Sequence, residues 1–93
     1  MISRAVVIGN TLGLHARAAA RFVQLAGTFG AHVQVDRAGR TIDGKSIMGL
    51  LLLAAARGTS ITISADGADE DAAVGALTEL VERGFDEETA CSS

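Results

Sequence analysis

The hydrophobic pattern of this chain changes period from two to 3.6 and back, and this constrains the fold more than any single residue does. Arg4-Ala5-Val6-Val7-Ile8 is rich in β-branched residues and reads as a first strand. Gly9 to Gly13 is a loop, and from Ala16 the pattern becomes helical. Ala19, Phe22, Val23, Ala26 and Phe29 fall at offsets of 0, 3, 4, 7 and 10, which makes one apolar face. Arg17, Arg21 and Gln24 fall on another, and Gly27 and Gly30 offer places to stop. Ala31 to Asp36 alternates as a strand does. Arg37-Ala38-Gly39-Arg40 turns the chain, and Thr41-Ile42-Asp43 starts a partner strand. Ser46 precedes a short helical segment from Ile47 to Ala56, which Gly58 ends, and Ser60 to Ser64 alternates cleanly. Asp69-Glu70-Asp71 places three carboxylates in the first turn of a last helix, where the macrodipole favours them. Val74, Leu77 and Val81 give that helix a buried stripe, with Leu80 at its edge. The end, Phe85 to Ser93, is acidic and unpatterned and is expected to fray.

Strand, helix, strand, strand, helix, strand, helix is a split βαβ arrangement with an added C-terminal helix. The expected fold class is α+β. It is an open-faced sandwich whose four-stranded antiparallel sheet carries three helices on one face. A chain of 93 residues has room for one domain. That domain is expected over residues 1–88, with 89–93 as a short frayed tail.

Charge and composition exclude several classes of function. A net charge of −3 argues against a nucleic-acid surface, and three aromatics, all Phe, cannot build a base-stacking platform. One cysteine, Cys91, forms neither an internal disulfide nor a Cys-rich metal site, which suits a reducing cytoplasm. Only His15 and His32 are histidines, without metal-ligand spacing, and His32 reads as a structural or surface residue of its strand. No metal or cofactor is expected. Ala5 to Ile8 is too short for a signal-peptide core and Ile47 to Ala56 too short to span a bilayer. A cytoplasmic protein without membrane insertion is therefore expected.

The chemistry concentrates in Gly13-Leu14-His15-Ala16-Arg17. A histidine stands where a glycine loop enters a helix, and backbone N–H groups there have no intrahelical partner. They can point at an anion, helped by the positive end of the helix dipole. Gly13 allows close approach of the backbone, and Arg17 brings a fixed charge that hydrogen-bonds phosphate oxygens. A phosphoryl acceptor needs a nucleophile unprotonated near neutral pH, and histidine titrates in that range. It also needs charge stabilisation for the oxygens in flight, because positioning and electrostatics do most of the work in phosphoryl transfer. The same residue types also suit a simple cap or a solvated loop.

Leu12-Gly13-Leu14-His15-Ala16-Arg17 resembles the active-site motif of the HPr family, the histidine-containing phosphocarriers of the bacterial phosphoenolpyruvate:sugar phosphotransferase system. Gly44-Lys45-Ser46-Ile47-Met48-Gly49 is similar to the family's second motif, around a regulatory serine. Gly58-Thr59 and Ser64-Ala65-Asp66-Gly67 extend the resemblance, which runs from about residue 3 to residue 84. It implies an HPr-like fold and a relay role in place of turnover by the chain itself. Enzyme I would phosphorylate Nδ1 of His15 with Arg17 assisting, and the A domains of enzymes II would receive the group. The family usually has proline where this chain has Ala18, so transfer is expected to be competent at an altered rate.

Ser46 reads locally as a helix N-cap, worth about 1 kcal/mol over alanine. The resemblance adds regulatory phosphorylation there by HPr kinase/phosphorylase, and the two roles are compatible. Ten successive apolar or glycine residues from Ile47 are too many for one buried face, so some form an exposed docking patch. The resemblance points to Ile47, Met48 and Leu51, and Arg21 and Gln24 are expected at the border. A monomeric carrier is expected. The competing reading is a regulatory protein on the same scaffold, binding a kinase or transcription regulator according to its phosphorylation state. A nitrogen-branch carrier lies between the two.

Overall fold

A computed structural model describes residues 1–53 and 55–86. The chain runs β1 (Ile2–Val7), α1 (Ala16–Ala26), β2 (His32–Arg37), β3 (Arg40–Asp43), α2 (Ile47–Leu53), β4 (Ser60–Asp66), α3 (Glu70–Glu82) and a short 3-10 turn, Gly84–Asp86. The strands form one sheet in the order β1-β4-β2-β3, and each neighbouring pair is antiparallel.

Alternation sorts the side chains between the two faces of the sheet. Val6, Val33, Val35, Ile61, Ile63 and Ala65 are buried beneath the helices. Ser3, Ala5, Val7, Ser60, Thr62, Ser64, His32, Gln34 and Asp36 occupy the other face, where none is buried. One side is thus a core and the other is open, as the α+β sandwich requires. From α1 the core takes Ala18, Ala19, Phe22 and Ala26, and from α3 it takes Ala73, Val74, Leu77, Leu80 and Val81. Leu80 lies within the stripe and not at its edge. Thr78 is buried too, and among the described residues its hydroxyl has no hydrogen-bond partner.

Two local expectations are corrected. The helix expected from Ile47 to Ala56 is Ile47–Leu53, and Ala55 and Ala56 lie outside it. The Ala55 carbonyl is taken by the Leu14 N–H at 2.8 Å, so the chain there bonds across to the loop before α1. The expected fraying of the acidic end begins too early, because Phe85 is fully buried in the core. It adopts a left-handed backbone (φ 59°), and its carbonyl accepts a hydrogen bond from Arg21 Nη1 at 2.8 Å. A lone aromatic in a polar stretch has no periodicity to announce it. The proposed tail, 89–93, lies outside the described residues.

The three acids at the start of α3 divide their work. The Asp69 carboxylate leaves its own helix and accepts the Gly30 and Ala31 N–H groups at 2.9 and 2.8 Å, tying α3 to the start of β2. Gly67 makes that approach feasible, since a Cβ there would lie 2.7 Å from Ala31 Cα. Glu70 accepts the Gly67 N–H at 3.1 Å and pairs with the chain's amino terminus at 3.4 Å. Both carboxyls are held below the ordinary carboxylate range, Asp69 chiefly by the Gly30 amide and Glu70 chiefly by the Gly67 amide. Depressed values mean that their stabilisation is complete at neutral pH and is lost as pH falls through the native values. Asp69→Asn should therefore flatten the acid limb: between neutrality and about pH 3 its Tm should fall less than that of the wild type. Parallel Tm curves in thermal melts across that range would exclude this role. Phe85→Ala should lower the unfolding free energy by about 3–5 kcal/mol in urea titrations, the usual loss for a core phenylalanine. A frayed residue would cost almost nothing.

Candidate functional site

The loop from Gly9 to His15 is fixed before α1 begins. The Asn10 side-chain amide donates to the Gly13 carbonyl at 2.8 Å, and the Gly13 N–H returns a bond to the Asn10 carbonyl at 3.1 Å. Gly13 has φ +68°, and a Cβ there would sit 2.7 Å from the Ala55 carbonyl oxygen and 2.9 Å from Ala56 Cα. Only glycine fits both the dihedral and the space. Leu14 is buried beside it. These contacts leave little freedom in the direction from which His15 enters the helix.

His15 is the N-cap of α1, with extended backbone (φ −86°, ψ −179°). Its carbonyl accepts the first intrahelical bond, from the Ala19 N–H at 2.8 Å. The amides of Ala16, Arg17 and Ala18 precede that bond at the helix N-terminus. Nδ1 of His15 faces this end and accepts the Arg17 N–H at 3.3 Å. The bond is long, hence weak. The first turn of α1 holds no acidic residue, so nothing within it opposes an incoming anion. The Arg17 guanidinium is exposed, and among the described residues no carboxylate lies within ion-pair distance of it. An imidazole nitrogen, the first-turn amides and an exposed arginine are thus all carried by one helix start. Ala18, in the first turn, points into the core and is fully buried.

Ser46 stands at the other end of α2 from this junction. Its hydroxyl accepts the Gly49 N–H at 3.1 Å and its carbonyl accepts the Leu50 N–H at 3.1 Å, the geometry of an N-cap. Seven residues of helix, about 10 Å, separate it from the Ala55 contact. Between the two ends α2 shows an apolar strip. Ile47 is 41% exposed, Met48 68% and Leu52 63%, whereas Leu50 and Leu53 are buried and Leu51 is half-buried against the core. Leu52 was not singled out by sequence. Its spacing of four from Met48, against the buried pair Leu50 and Leu53 at a spacing of three, was the available signal. Leu12, in the loop before His15, is 70% exposed and was missed as well. Arg21 and Gln24 border a shallow cleft with Leu25, Leu80 and Arg83, between α1 and α3. Arg21 also holds Phe85, so it has a structural task.

Comparison with known proteins accords with this geometry. The family model "PTS HPr component phosphorylation site" matches residues 2–83. A phosphocarrier protein HPr of Cupriavidus necator is 48% identical, and the match covers 94% of this chain and 98% of that one. A phosphocarrier protein NPr of Shewanella violacea is 41% identical, covering 92% and 94%. The crystal structure of an HPr from Thermoanaerobacter tengcongensis superposes with a TM-score of 0.90 at 40% identity, covering 94% of this chain and 98% of that one. The chain belongs to the HPr family and is a phosphocarrier of the phosphotransferase system.

Proposed function

We propose that His15 is the residue that carries the phosphoryl group. Its Nδ1 attacks the phosphorus of phospho-enzyme I, the bond to the donor breaks, and the group stays on the ring. An enzyme II A domain then takes it by the reverse displacement. The supporting observation is that Nδ1 faces the N-terminus of α1. As the N–P bond forms, the weak contact with the Arg17 N–H is given up, and the amides of the first turn turn to the phosphoryl oxygens. The Arg17 guanidinium neutralises charge on those oxygens. The chain has no turnover of its own in this scheme, and it acts as a cytoplasmic monomer. Among the described residues no helix is long and apolar enough to cross a membrane.

The partners dock beside this site, on Ile47, Met48 and Leu51 of α2 together with the exposed Leu52. Arg21 and Gln24 contribute from α1. A surface of methionine and leucine adapts to several partners, as a relay requires. Ser46 serves as cap and as regulatory site for HPr kinase/phosphorylase. A phosphate there is too far along α2 to touch His15 and acts on the docking partner instead, with about two negative charges.

Incubation with phosphoenolpyruvate and enzyme I should place an acid-labile phosphoryl group on the wild type and none on His15→Ala. An unlabelled wild type with several enzymes I, or a labelled variant, would overturn the assignment. Ser46→Asp keeps a capping oxygen and adds charge. It should lower kcat/KM for phosphorylation by enzyme I about tenfold, with Tm little changed. Unchanged kinetics would remove Ser46 from regulation of docking.

A further inference from the structure

Arg37 and Arg40 stand directly opposite each other where β2 and β3 meet their turn. The two residues between them, Ala38 and Gly39, both have positive φ, 52° and 85°, as in the tight turn that keeps closing residues paired. Like charges directly opposite on a hairpin are destabilising, so this pair calls for compensation. Part of it comes from α2. Arg37 Nη1 donates to the Leu53 carbonyl at 2.8 Å and Arg40 Nη1 to the Leu52 carbonyl at 3.0 Å. The helix has no basic residue in its own last turn, so the hairpin supplies the cations that a helix C-terminus favours.

The compensation is incomplete. A helix C-terminus is equivalent to about half a negative charge, against two guanidiniums. Among the described residues neither arginine has a carboxylate within ion-pair distance. The acids of the hairpin itself, Asp36 and Asp43, alternate onto the open face of the sheet. There Asp36 accepts the Thr41 hydroxyl at 3.4 Å and Asp43 the Lys45 N–H at 2.9 Å. Nine of the 11 Asp and Glu residues occur in sequence from Asp66 onward, beyond the hairpin and α2. A chain of net charge −3 thus keeps an excess of positive charge at the C-terminal end of α2.

That excess adjoins exposed Leu52, one turn from exposed Met48. On the reading of α2 as the docking face, we infer that Arg37 and Arg40 receive paired carboxylates of the protein that delivers the phosphoryl group. Those carboxylates flank an apolar side chain seated on Met48 and Leu52. Guanidinium forks match carboxylate geometry, and five N–H donors each leave several for the partner after one is given to α2. Such a pair governs encounter and partner choice and leaves the chemistry at His15 alone.

Initial rates of phosphorylation by enzyme I and phosphoenolpyruvate test this with the full chain. Arg37→Gln combined with Arg40→Gln should raise KM for the carrier by about tenfold or more at low salt, with kcat within about twofold. Raising salt from about 0.05 to about 0.5 M should raise the wild-type KM steeply and that of the double variant little. The double lysine variant, which keeps charge and a donor but not the fork, should recover the salt dependence and only part of the wild-type KM. An unchanged KM in the glutamine variant, or parallel salt curves, would overturn the inference. So would equal losses of kcat and Tm in both double variants, which would make the arginines helix caps alone. A low-salt dimer in sedimentation, lost in the glutamine variant, would assign the pair to a second copy of this chain and also overturn it. A wild type without label on His15 would instead count against the carrier assignment, which keeps the two failures distinguishable.

Discussion

One hydrogen bond, from the Leu14 N–H to the Ala55 carbonyl at 2.8 Å, joins the two segments on which the site depends. It fixes the loop that presents His15, and it commits the Ala55 carbonyl to a bond outside the helix. The same contact explains why Gly13 tolerates no side chain, because its missing Cβ would occupy the space of Ala55 and Ala56. The apolar strip of α2 and the nucleophile of α1 therefore share one junction. A partner that seats on the strip meets an imidazole whose direction is already set. On the proposed role, such preorganisation is a source of rate for the transfer.

The periodicities of the sequence carried most of the architecture. Each strand and helix appears where the hydrophobic period places it, with ends moved by one to a few residues, because alternation and the 3.6 period report directly on what is buried. The capping positions of His15 and Ser46 were legible for a different reason: capping is a local property of a helix start. The misses share one cause. The early end of α2, the burial of Phe85 and the redirection of Asp69 all depend on partners distant in sequence. These are Leu14 for Ala55, Arg21 for Phe85, and Gly30 with Ala31 for Asp69. No local pattern encodes them. The choice of exposed residues on α2 fell between the two cases. Composition showed that some had to be exposed, but only the packing of Leu50 and Leu53 decided that Met48 and Leu52 were.

The three helix N-termini answer the same electrostatic demand in three ways. At α3 two acids occupy the first turn, Glu70 and Asp71, so the positive end of the dipole is already satisfied. At α2 the hydroxyl of Ser46 satisfies one amide without charge. At α1 the cap is a histidine ring, the bond is long, and no acid is present. Of the three, α1 has most to gain from a dianion, and it is the one with a nucleophilic nitrogen aimed at it. On the proposed role, a phosphoryl group at His15 gains from this helix end, which lowers the cost of accepting it. It must not lower that cost far, because a carrier has to release what it accepts. Exposure of Arg17 serves that balance: a solvated guanidinium steadies charge in transit without holding the product tightly.

The shortness of α2 follows from the same logic. A surface that meets several partners is best apolar, and an apolar seven-residue helix has no charges of its own with which to stabilise its ends. Stabilisation has to come from outside, from Arg37 and Arg40 at one end and from the Ser46 cap at the other. Each of those groups then lies beside the docking strip and is visible to whatever docks. On the proposed docking role, the residues that hold the helix together also lie where a partner meets it. On that proposal, a charge added at the Ser46 end would oppose an acidic partner that the arginine end would attract, so the two ends of one short helix would act on docking in opposite directions.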